Sequence, residues 1–506
     1  MNRWAAAQRF RKIWTNGERK LIRSSLILLS ILLLAACSES TEDMASSMPQ
    51  VSAAAPSQPN VIFIMVDDMG FGDVGYLGSE IATPNLDQLA LDGMQLDRNY
   101  VYPVCSPTRA ALLSGKSPLD MGITGPIDDY ASLPADLKIM PEYFKDLGYQ
   151  THMIGKWHLG LSETSAWPSA KGFDSYYGLL GGWVDFYTHV FAERLDWQRD
   201  GVSVHEEGHA TDLMTDEAVS IIEGRNEGQP FLMWLAYNAP HSPLQHPPTY
   251  SDLNNYPEIS DRSVYAEMVT HLDGGIGRVL DTLEAQGILE ETIVIFSSDN
   301  GGVPGLGASN GILRGAKRDA LEGGMRVPGL ISWVGTIDSG GLLEQPIAVH
   351  DWLPTLLDAV GGDSEVVVDA YGQSMWAAIT DGVEIERNTV VMGATGSLGV
   401  FEWPLKLVAI ENAETGEQSY SLFNVVDDPS EQNDLAAINP EIAARLIAEI
   451  AAMPVPEVNR LEPVFNNSPR YYPADVPTYD ARHIGIKEPW AEAVTNGTLP
   501  EYYEEL

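Results

Sequence analysis

The sequence predicts an α/β protein in which helices sandwich a large mixed, mostly parallel sheet, followed by a smaller C-terminal α+β subdomain. Continuous apolar runs occur at 61–66, 231–237 and 292–297, and such runs are typical of strands buried on both faces. Helical patterns lie between these runs, and this alternation favours a parallel sheet. After about residue 385, short β-like segments and one helix replace the alternation.

The helices and the later strands follow from spacing. Thr83 is a candidate helix cap, and Pro84 suits the first turn that follows it. Apolar residues from Tyr265 to Leu283 recur at 3.6-residue spacing, which predicts a long amphipathic helix. In the C-terminal part, two strands and one helix are predicted at 389–391, 405–410 and 441–453.

The first 36 residues are predicted to be a targeting segment. A basic stretch precedes an apolar run at 26–36, which is too short to span a bilayer. The run ends in Leu-Ala-Ala-Cys37, which resembles the lipobox of bacterial lipoproteins. We therefore expect export, lipidation of Cys37 and anchoring in the cell envelope, at the periplasm or outer membrane. The alternative is an ordinary cleaved signal peptide and a soluble periplasmic or secreted protein.

The rest of the chain divides by composition. Residues 37–59 are rich in Ser, Ala and Pro, which predicts a flexible tether. The main domain is expected at 60–385 and the smaller subdomain at 386–453. The remainder, 454–506, is rich in Pro, Tyr and acidic residues, and we expect it to wrap the surface.

The charge balance is strongly acidic. Acidic residues number 71 and basic residues 30, which gives a formal net charge of −41. Such a surface repels nucleic acid and anionic lipid, so neither is expected as a direct partner. It suits a medium of high ionic strength, where screening weakens repulsion among surface charges. Simple solubility is the alternative explanation.

Acidic and amide side chains follow two of the buried strands at the point where each strand ends. Asp67 and Asp68 follow the first apolar run, and Asp299 and Asn300 follow the run at 292–297. Ligands gather beyond the carboxyl ends of strands in open α/β sheets, so we expect these side chains to converge. Three carboxylates would repel one another without a cation, and hard oxygen ligands favour Ca²⁺, or secondarily Mg²⁺, over zinc. Helix capping is the alternative role.

The segment Cys105-Ser-Pro-Thr-Arg109 indicates a second functional feature. The chain has two cysteines, and if Cys37 is lipidated, Cys105 has no disulfide partner. Pro107 suits the first turn of a helix and Gly115 its end, which places Cys105 just before a helix N-terminus, where free N–H groups favour an anion. Arg109 lies one turn along, so both side chains are predicted to face a pocket for a tetrahedral oxyanion. A buried structural thiol is the alternative.

Four further side chains lie near the ends of predicted elements. In the segment Gly-Lys-Trp-His that ends at His158, alternation points Lys156 and His158 to the same side. His241 follows the strand at 231–237, and Lys317 ends a Leu-Arg-Gly-Ala-Lys segment. Each alone would be assigned a structural or solvated role. Their joint placement beside the acidic pairs predicts that they line the same pocket.

Together these segments resemble the formylglycine-dependent sulfatases of the alkaline phosphatase superfamily. The matching segments, in chain order, are Asp67-Asp68, Cys105-Ser-Pro-Thr-Arg109 (the C-x-P-x-R signature), the segment ending at His158, His241, Asp299-Asn300-Gly-Gly, and Lys317 followed by Glu322-Gly-Gly. The segments 172–178 and 241–245 resemble the arylsulfatase B-like, N-acetylgalactosamine-4-sulfatase branch. The resemblance covers about residues 59–450 and implies an alkaline-phosphatase-like fold, with the catalytic domain at 60–385.

The resemblance implies a sulfuric ester hydrolase with a modified cysteine and a bound metal. In such enzymes a maturation enzyme oxidises the motif cysteine, here Cys105, to formylglycine (3-oxoalanine), and the hydrate of that aldehyde is the nucleophile. Calcium would be bound by Asp67, Asp68, Asp299 and Asn300, together with the residue at position 105.

The resemblance also implies proton and charge roles. Asp299 would be the base for the attacking oxygen. Lys317 or His241 would protonate the departing alcohol, and His158 would take the proton in the step that releases sulfate. Negative charge on the sulfate oxygens would be offset by Arg109, Lys156 and Lys317.

The predicted substrate is a sulfated polysaccharide or oligosaccharide of the galactose or N-acetylgalactosamine sulfate type, as in carrageenan-like or chondroitin-like chains. Candidate sugar contacts are Trp183, Asp185, Tyr187, His189 and Arg314, for which plain packing is an equal alternative. Two other functions are open: a phosphonate or phosphate monoester hydrolase of the same superfamily, and a non-catalytic glycan-binding lipoprotein.

Overall fold

The computed structural model of the protein describes residues 58–127, 131–161, 164–191, 194–248, 254, 256 and 260–453. Three predicted features lie outside the described residues and stay predictions: the targeting segment with Cys37, the tether up to residue 57, and the C-terminal tail. Among the described residues, no helix has the length and apolarity needed to cross a membrane.

The described residues form nineteen β-strands and nine α-helices. The strands are β1 (Asn60–Val66), β2 (Met94–Leu96), β3 (Asn99–Tyr100), β4 (Gln150–Lys156), β5 (Ser175–Leu179), β6 (Val190–Phe191), β7 (Arg194–Leu195), β8 (Gln198–Arg199), β9 (Val202–Ser203), β10 (Phe231–Ala236), β11 (Thr292–Ser298), β12 (Arg326–Val327), β13 (Gly329–Ser332), β14 (Gly341–Leu343), β15 (Ile347–Ala348), β16 (Val390–Ala394), β17 (Ser397–Glu402), β18 (Leu405–Glu411) and β19 (Gln418–Asn424). The helices are α1 (Pro84–Asp92), α2 (Cys105–Ser114), α3 (Met140–Asp146), α4 (Ala210–Glu223), α5 (Asp261–Ala285), α6 (Glu322–Met325), α7 (Trp352–Ala359), α8 (Trp376–Asp381) and α9 (Pro440–Ala452).

The largest sheet has ten strands in the order β14-β2-β13-β11-β1-β10-β4-β5-β8-β9. Its five central strands, from β11 to β5, are joined by parallel pairs. On either side of this block, β13 and β8 pair in the antiparallel direction. The three predicted apolar runs form β1, β10 and β11, so the prediction of a mixed, mostly parallel sheet is confirmed.

Helices cover both faces of the sheet because successive residues of its central strands point in opposite directions. Val61, Phe63 and Met65 of β1 belong to one apolar core, together with residues of α2, α3 and α7. Ile62 and Ile64 belong to a second core on the other face, with residues of α1, α4 and α5. The sandwich of helices is therefore as predicted.

The C-terminal sheet is antiparallel throughout, in the order β16-β17-β18-β19. It begins at Val390, and α9 ends at Ala452, inside the predicted range 386–453. Leu407 of this sheet and Leu446 of α9 belong to the same apolar core as β1. The smaller α+β part is therefore packed as a continuation of the main core.

A buried ion cluster joins the C-terminal sheet to α6. We call it the Lys406 cluster, and it consists of Lys406, Glu322, Glu431 and Tyr100. The Lys406 Nζ atom is fully buried and lies 3.0 Å from Glu322 Oε1 and 3.0 Å from Glu431 Oε1. The Tyr100 hydroxyl donates to Glu322 Oε2 at 2.9 Å, and the Glu322 N–H donates to Glu431 Oε2 at 2.7 Å. These contacts fix α6 against β3, β18 and the segment that carries Glu431.

Candidate active site

The carboxyl ends of four neighbouring parallel strands meet at one edge of the sheet. Asp299 follows β11, Asp67 follows β1, His241 follows β10 after a short segment, and Lys156 ends β4. Because these four strands are consecutive in the sheet, their C-terminal residues converge. All four side chains are buried. The structure therefore brings these four predicted residues together at one edge of the sheet.

The four oxygen-bearing residues predicted as metal ligands lie together. Asn300 Nδ2 donates to Asp68 Oδ1 at 2.7 Å, and the Asp68 N–H donates to Asp299 Oδ1 at 3.4 Å. Asp68 has a φ of 64°, a left-handed conformation that is uncommon for a residue with a side chain. Strained backbone of this kind concentrates at functional sites.

Each of the three carboxylates is paired with one cationic side chain. The pairs are Lys156 with Asp67 (Nζ–Oδ2, 2.5 Å), Lys317 with Asp68 (Nζ–Oδ1, 2.7 Å) and Arg109 with Asp299 (Nη2–Oδ2, 2.8 Å). Arg109 also donates from Nε to Asp299 and from Nη1 to the Lys156 carbonyl at 2.6 Å. Its guanidinium therefore holds Asp299, whereas the sequence analysis placed it beside Cys105 facing an oxyanion.

Two oxygens at this edge fit a bound cation. Asp67 Oδ1 and Asn300 Oδ1 are buried and have no hydrogen-bond partner within the described part of the chain. Leaving a buried polar atom unsatisfied costs about 1–3 kcal/mol. Burial and the charge of Asp299 raise the pKa of Asp67 to about 8, although Lys156 acts in the opposite direction. A hard divalent cation such as Ca²⁺ would satisfy these oxygens and offset the repulsion.

Cys105 is the first residue of α2. The sequence analysis placed it one residue before the helix. Gly115 ends the helix with a φ of 66°, as the sequence indicates. Cys105 Sγ lies 3.3 Å from His158 Nδ1, and Val104 and Ala394 pack against it. Burial raises the pKa of the Cys105 thiol, although nearby lysines act in the opposite direction. An unmodified thiol in this environment is protonated at neutral pH and is a weak nucleophile.

His158 reaches the site by a route that the sequence analysis did not anticipate. Strand β4 ends at Lys156, and His158 has a φ of 56°, so a turn rather than strict alternation directs its ring to Cys105. The Ser106 hydroxyl donates to the His158 carbonyl at 2.9 Å. A Cβ on Gly182 would lie 2.9 Å from the His158 ring. Ser106 and Gly182 therefore position this histidine, and neither was identified from the sequence.

His241 and Lys317 differ in protonation state, and therefore in whether they can donate a proton. The Nδ1–H of His241 donates to the Ser242 carbonyl at 2.6 Å, so the neutral ring carries its lone pair at Nε2. Burial lowers the pKa of His241 to about 4, although Asp68 opposes this. The pKa of Lys317 is raised overall. Burial alone would lower it, but Asp68 and the neighbouring anions have the larger effect. Lys317 therefore holds its protons, whereas His241 is a neutral acceptor.

The segment 182–191 adjoins His158 and contains four of the five candidate sugar contacts. Trp183 is half-buried and meets the Phe191 ring edge-on, with ring centroids 5.2 Å apart. It directly follows Gly182, the residue against the His158 ring. Trp183 is thus next to an active-site contact and stays a candidate for binding sugar.

The other three candidates in this segment make internal contacts. Asp185 accepts hydrogen bonds from the Tyr187 N–H at 3.0 Å and from the Gln245 side chain at 2.6 Å. His189 is buried and stacks on Trp197 with ring centroids 4.4 Å apart. These contacts shape the loop, so a role in binding sugar would be indirect for Asp185 and His189.

Arg314 lies in a different place from the other candidates. Its side chain is exposed, and Nη1 donates to the Glu431 carbonyl at 2.6 Å. Its guanidinium also lies 5.8 Å from the centre of the Phe423 ring. These contacts hold Arg314 against the C-terminal sheet beside the Lys406 cluster.

The fold and this site define an ester hydrolase of the alkaline-phosphatase-like class, with carboxylates, cations and a cysteine at the tip of a parallel sheet. The family model described as Sulfatase matches residues 59–362. The chain is 32% identical to Arylsulfatase J of Mus musculus over 502 residues, which cover 87% of this chain and 82% of that one. The chain therefore belongs to the sulfatase family and is a sulfuric ester hydrolase.

Two further comparisons concern an N-acetylgalactosamine sulfatase and a protein solved with a neocarrahexaose. The chain is 32% identical to N-acetylgalactosamine-6-sulfatase of Mus musculus over 345 residues, covering 62% of this chain and 65% of that one. Its fold matches the crystal structure of Ps i-CgsB in complex with k-i-k-neocarrahexaose with a TM-score of 0.73 and 30% identity. That match covers 80% of this chain and 95% of that chain.

Proposed function

We propose that this sulfatase removes sulfate esters from polysaccharides or oligosaccharides of the galactose or N-acetylgalactosamine type. The observation that carries the proposal is the likeness, over 95% of that chain, to Ps i-CgsB in complex with k-i-k-neocarrahexaose. N-acetylgalactosamine-6-sulfatases at 30–32% identity support the same class of sugar. Their names specify position 6, whereas the branch resemblance implies position 4, so the proposal covers both.

The charge balance of the site supports an anionic substrate. Its three carboxylates are matched by three cationic side chains, so the protein groups alone are close to neutral. A bound divalent cation would then leave the site with a net positive charge. A sulfate ester would be attracted to this edge although the whole chain carries −41.

We infer that Cys105 is converted to formylglycine, whose hydrated aldehyde supplies an oxygen nucleophile. Asp67, Asp68, Asp299 and Asn300 would hold calcium, which when bound would supply a Lewis acid for the sulfate oxygens. Position 105 lies 3.3 Å from His158 Nδ1, which places this ring to accept a proton from it. This contact supports the proposed role of His158 at the start of α2.

The leaving alcohol needs a proton, and Lys317 is the better placed donor. His241 uses its Nδ1–H on the Ser242 carbonyl, so in its neutral form it has no proton to give at Nε2. Lys317 Nζ carries protons and lies 2.7 Å from Asp68 Oδ1, at the same carboxylate that Nε2 of His241 approaches to 3.6 Å. We assign Lys317 as the acid and His241 as a neutral acceptor at Nε2, which suits a hydroxyl donor of the substrate rather than the sulfate oxygens.

The test measures released sulfate by ion chromatography after incubation with carrageenan oligosaccharides and with 4-sulfated and 6-sulfated chondroitin disaccharides. We expect turnover of at least one of these and a tryptic peptide whose mass shows the aldehyde at position 105. Paired aryl sulfate and aryl phosphonate esters provide the control for reaction type. Preferred cleavage of the phosphonate would overturn the sulfatase assignment, and activity on aryl sulfate alone would overturn the sugar class.

We further propose that the protein is exported and anchored through lipid on Cys37. The support is the lipobox-like ending of the apolar run at 26–36. Labelling with a fatty-acid probe should mark the wild-type chain but not a Cys37→Ser variant. Equal labelling of the two would exclude this anchor and leave a soluble exported protein as the alternative.

A further inference from the structure

Two histidines and one aspartate meet between α4 and α5, outside the candidate active site. His209 is the residue immediately before α4, Asp212 lies in its first turn, and His271 lies within α5. One potential ligand atom from each of the three lies within 4.8 Å of the others. His271 Nε2 and Asp212 Oδ1 are 3.1 Å apart.

His209 is the unusual member of this cluster. It is 2% exposed, and neither of its ring nitrogens has a hydrogen-bond partner among the described residues. Its ring stacks on Phe186 with centroids 5.1 Å apart and meets the His271 ring at 90° with centroids 5.0 Å apart. A buried imidazole with no hydrogen bond is costly, and burial keeps it neutral, with a free lone pair.

We propose that His209, Asp212 and His271 bind a transition-metal ion, Zn²⁺ in the first instance, at a site separate from that of the catalytic cation. Two imidazoles and one carboxylate form a donor set that suits zinc. The catalytic edge offers mainly carboxylate and amide oxygens, which suit calcium. The two sites should therefore select different ions from the same solution.

The surroundings of this cluster provide an entry path and an open position for the ion. The side chain of Asp212 is 35% exposed and that of His271 is 12% exposed, so an ion can reach the cluster from solvent. With three protein ligands, the fourth position of a tetrahedral zinc falls to water. Bound zinc would join α4 to α5 beneath the segment that carries Phe186, and this cross-link should raise thermal stability.

The test is a calorimetric titration of ZnCl₂ into the metal-stripped full-length protein. Excess Ca²⁺ is present throughout, so that the catalytic oxygens are occupied. We expect one zinc per chain and an increase in Tm. Asp212→Asn keeps the size of the side chain and should weaken zinc binding by at least about tenfold. Asp216→Asn, one turn further along α4 in an exposed pair with Arg278, is the matched control and should bind zinc normally.

A second pair of variants keeps the test decisive if one of the first pair folds poorly. His271→Gln should lose zinc, whereas His152→Gln should not, because His152 Nδ1 is bonded to Ser175 Oγ on β5. Co²⁺ in place of zinc should give visible absorption typical of mixed nitrogen and oxygen ligands in the wild type and in both control variants, and this absorption should be weakened in Asp212→Asn and lost in His271→Gln. Absence of zinc binding by the wild type, or binding unchanged by both Asp212→Asn and His271→Gln, would overturn the proposal.

Discussion

Two buried networks of carboxylates and cations differ in how completely their oxygens are satisfied. In the Lys406 cluster, both oxygens of Glu322 are bonded, and Glu431 Oε1 lies 3.0 Å from Lys406 Nζ as an ion pair without hydrogen-bond geometry. At the sheet edge, Asp67 Oδ1 and Asn300 Oδ1 have no partner within the described ranges. The first network leaves one carboxylate oxygen with an ion pair in place of a hydrogen bond, whereas the second leaves two oxygens that a bound cation would satisfy.

The difference separates stability from function. A satisfied buried network fixes the relative position of two elements, here α6 and the C-terminal sheet, and changing it should alter stability alone. A network with free oxygens can bind a cation that is not part of the protein. Changing it should alter ion binding and turnover more than folding. The predictions below test this distinction, beginning with the largest effect.

Replacing Cys105 with alanine should lower turnover of a sulfate ester by at least about 10⁴-fold, because the proposed nucleophile is lost. The free energy of unfolding should change by no more than about 1 kcal/mol, since the thiol is small and makes one polar contact. Initial rates and urea titrations measure the two effects. Turnover retained in Cys105→Ala would show that the sheet edge works without this residue, and Cys105→Ser controls for lost volume.

Asp299→Asn should lose calcium binding and about 10²–10³-fold in turnover, because one ligand charge disappears and Arg109 is left unpaired. Titration calorimetry with CaCl₂ measures the binding. The exposed Asp216→Asn change serves as the control for loss of one negative charge. Unchanged calcium affinity in Asp299→Asn would contradict the assignment of Asp299 as a calcium ligand.

Lys406→Met should act in the opposite way. It leaves two carboxylates buried without their shared cation, so the free energy of unfolding should fall by about 3–5 kcal/mol. Turnover per folded molecule should stay close to that of the wild type. Adding Glu431→Gln should recover part of the stability because it removes one of the unpaired charges. A lower kcat in Lys406→Met without a lower free energy of unfolding would contradict the assignment of the Lys406 cluster to stability.

The smallest predicted effect concerns a buried histidine that belongs to neither network. His350 is fully buried, and burial lowers its pKa to about 4 from the usual 6.5, although Asp351 opposes this. Below pH 6.5 the unfolded chain binds a proton that the folded chain does not, so stability falls as pH falls towards 4. The full penalty is about 3 kcal/mol. It is absent above pH 6.5.

Urea titrations at pH 7 and pH 5 measure this effect. His350→Gln cannot take up the proton, so its stability should depend less on pH than that of the wild type. The comparison uses the difference between the two pH values within each protein, which cancels the cost of the substitution itself. An equal pH dependence in both proteins would show that His350 is not the group responsible.

Local patterns in the sequence were sufficient for the sheet and for the groups at its edge. A strand buried on both faces must be apolar throughout, so the runs that form β1, β10 and β11 are visible directly. The carboxyl end of a parallel strand faces the site, so the residue that follows each run is a candidate ligand. That rule led to Asp67 and Asp299 without any knowledge of tertiary contacts.

Contacts between distant segments could not be predicted in this way. The packing of Ala394 against Cys105, the approach of Gly182 to His158 and the Lys406 cluster each join segments with no shared local pattern. The left-handed turn at His158 was also missed, since alternation along a strand was assumed past the point where β4 ends. The convergence of the predicted site residues could thus be inferred from the sequence, whereas their supporting contacts could not.

The packing of Ala394 against Cys105 has a consequence for biosynthesis. A ribosome makes the chain from its amino end, so Cys105 emerges long before the strand that will cover it. In the folded protein this side chain is 2% exposed, which is too little for another enzyme to bind and oxidise it. If Cys105 is converted to formylglycine, as proposed, the oxidation would have to occur in the interval before the last sheet is translated and docked.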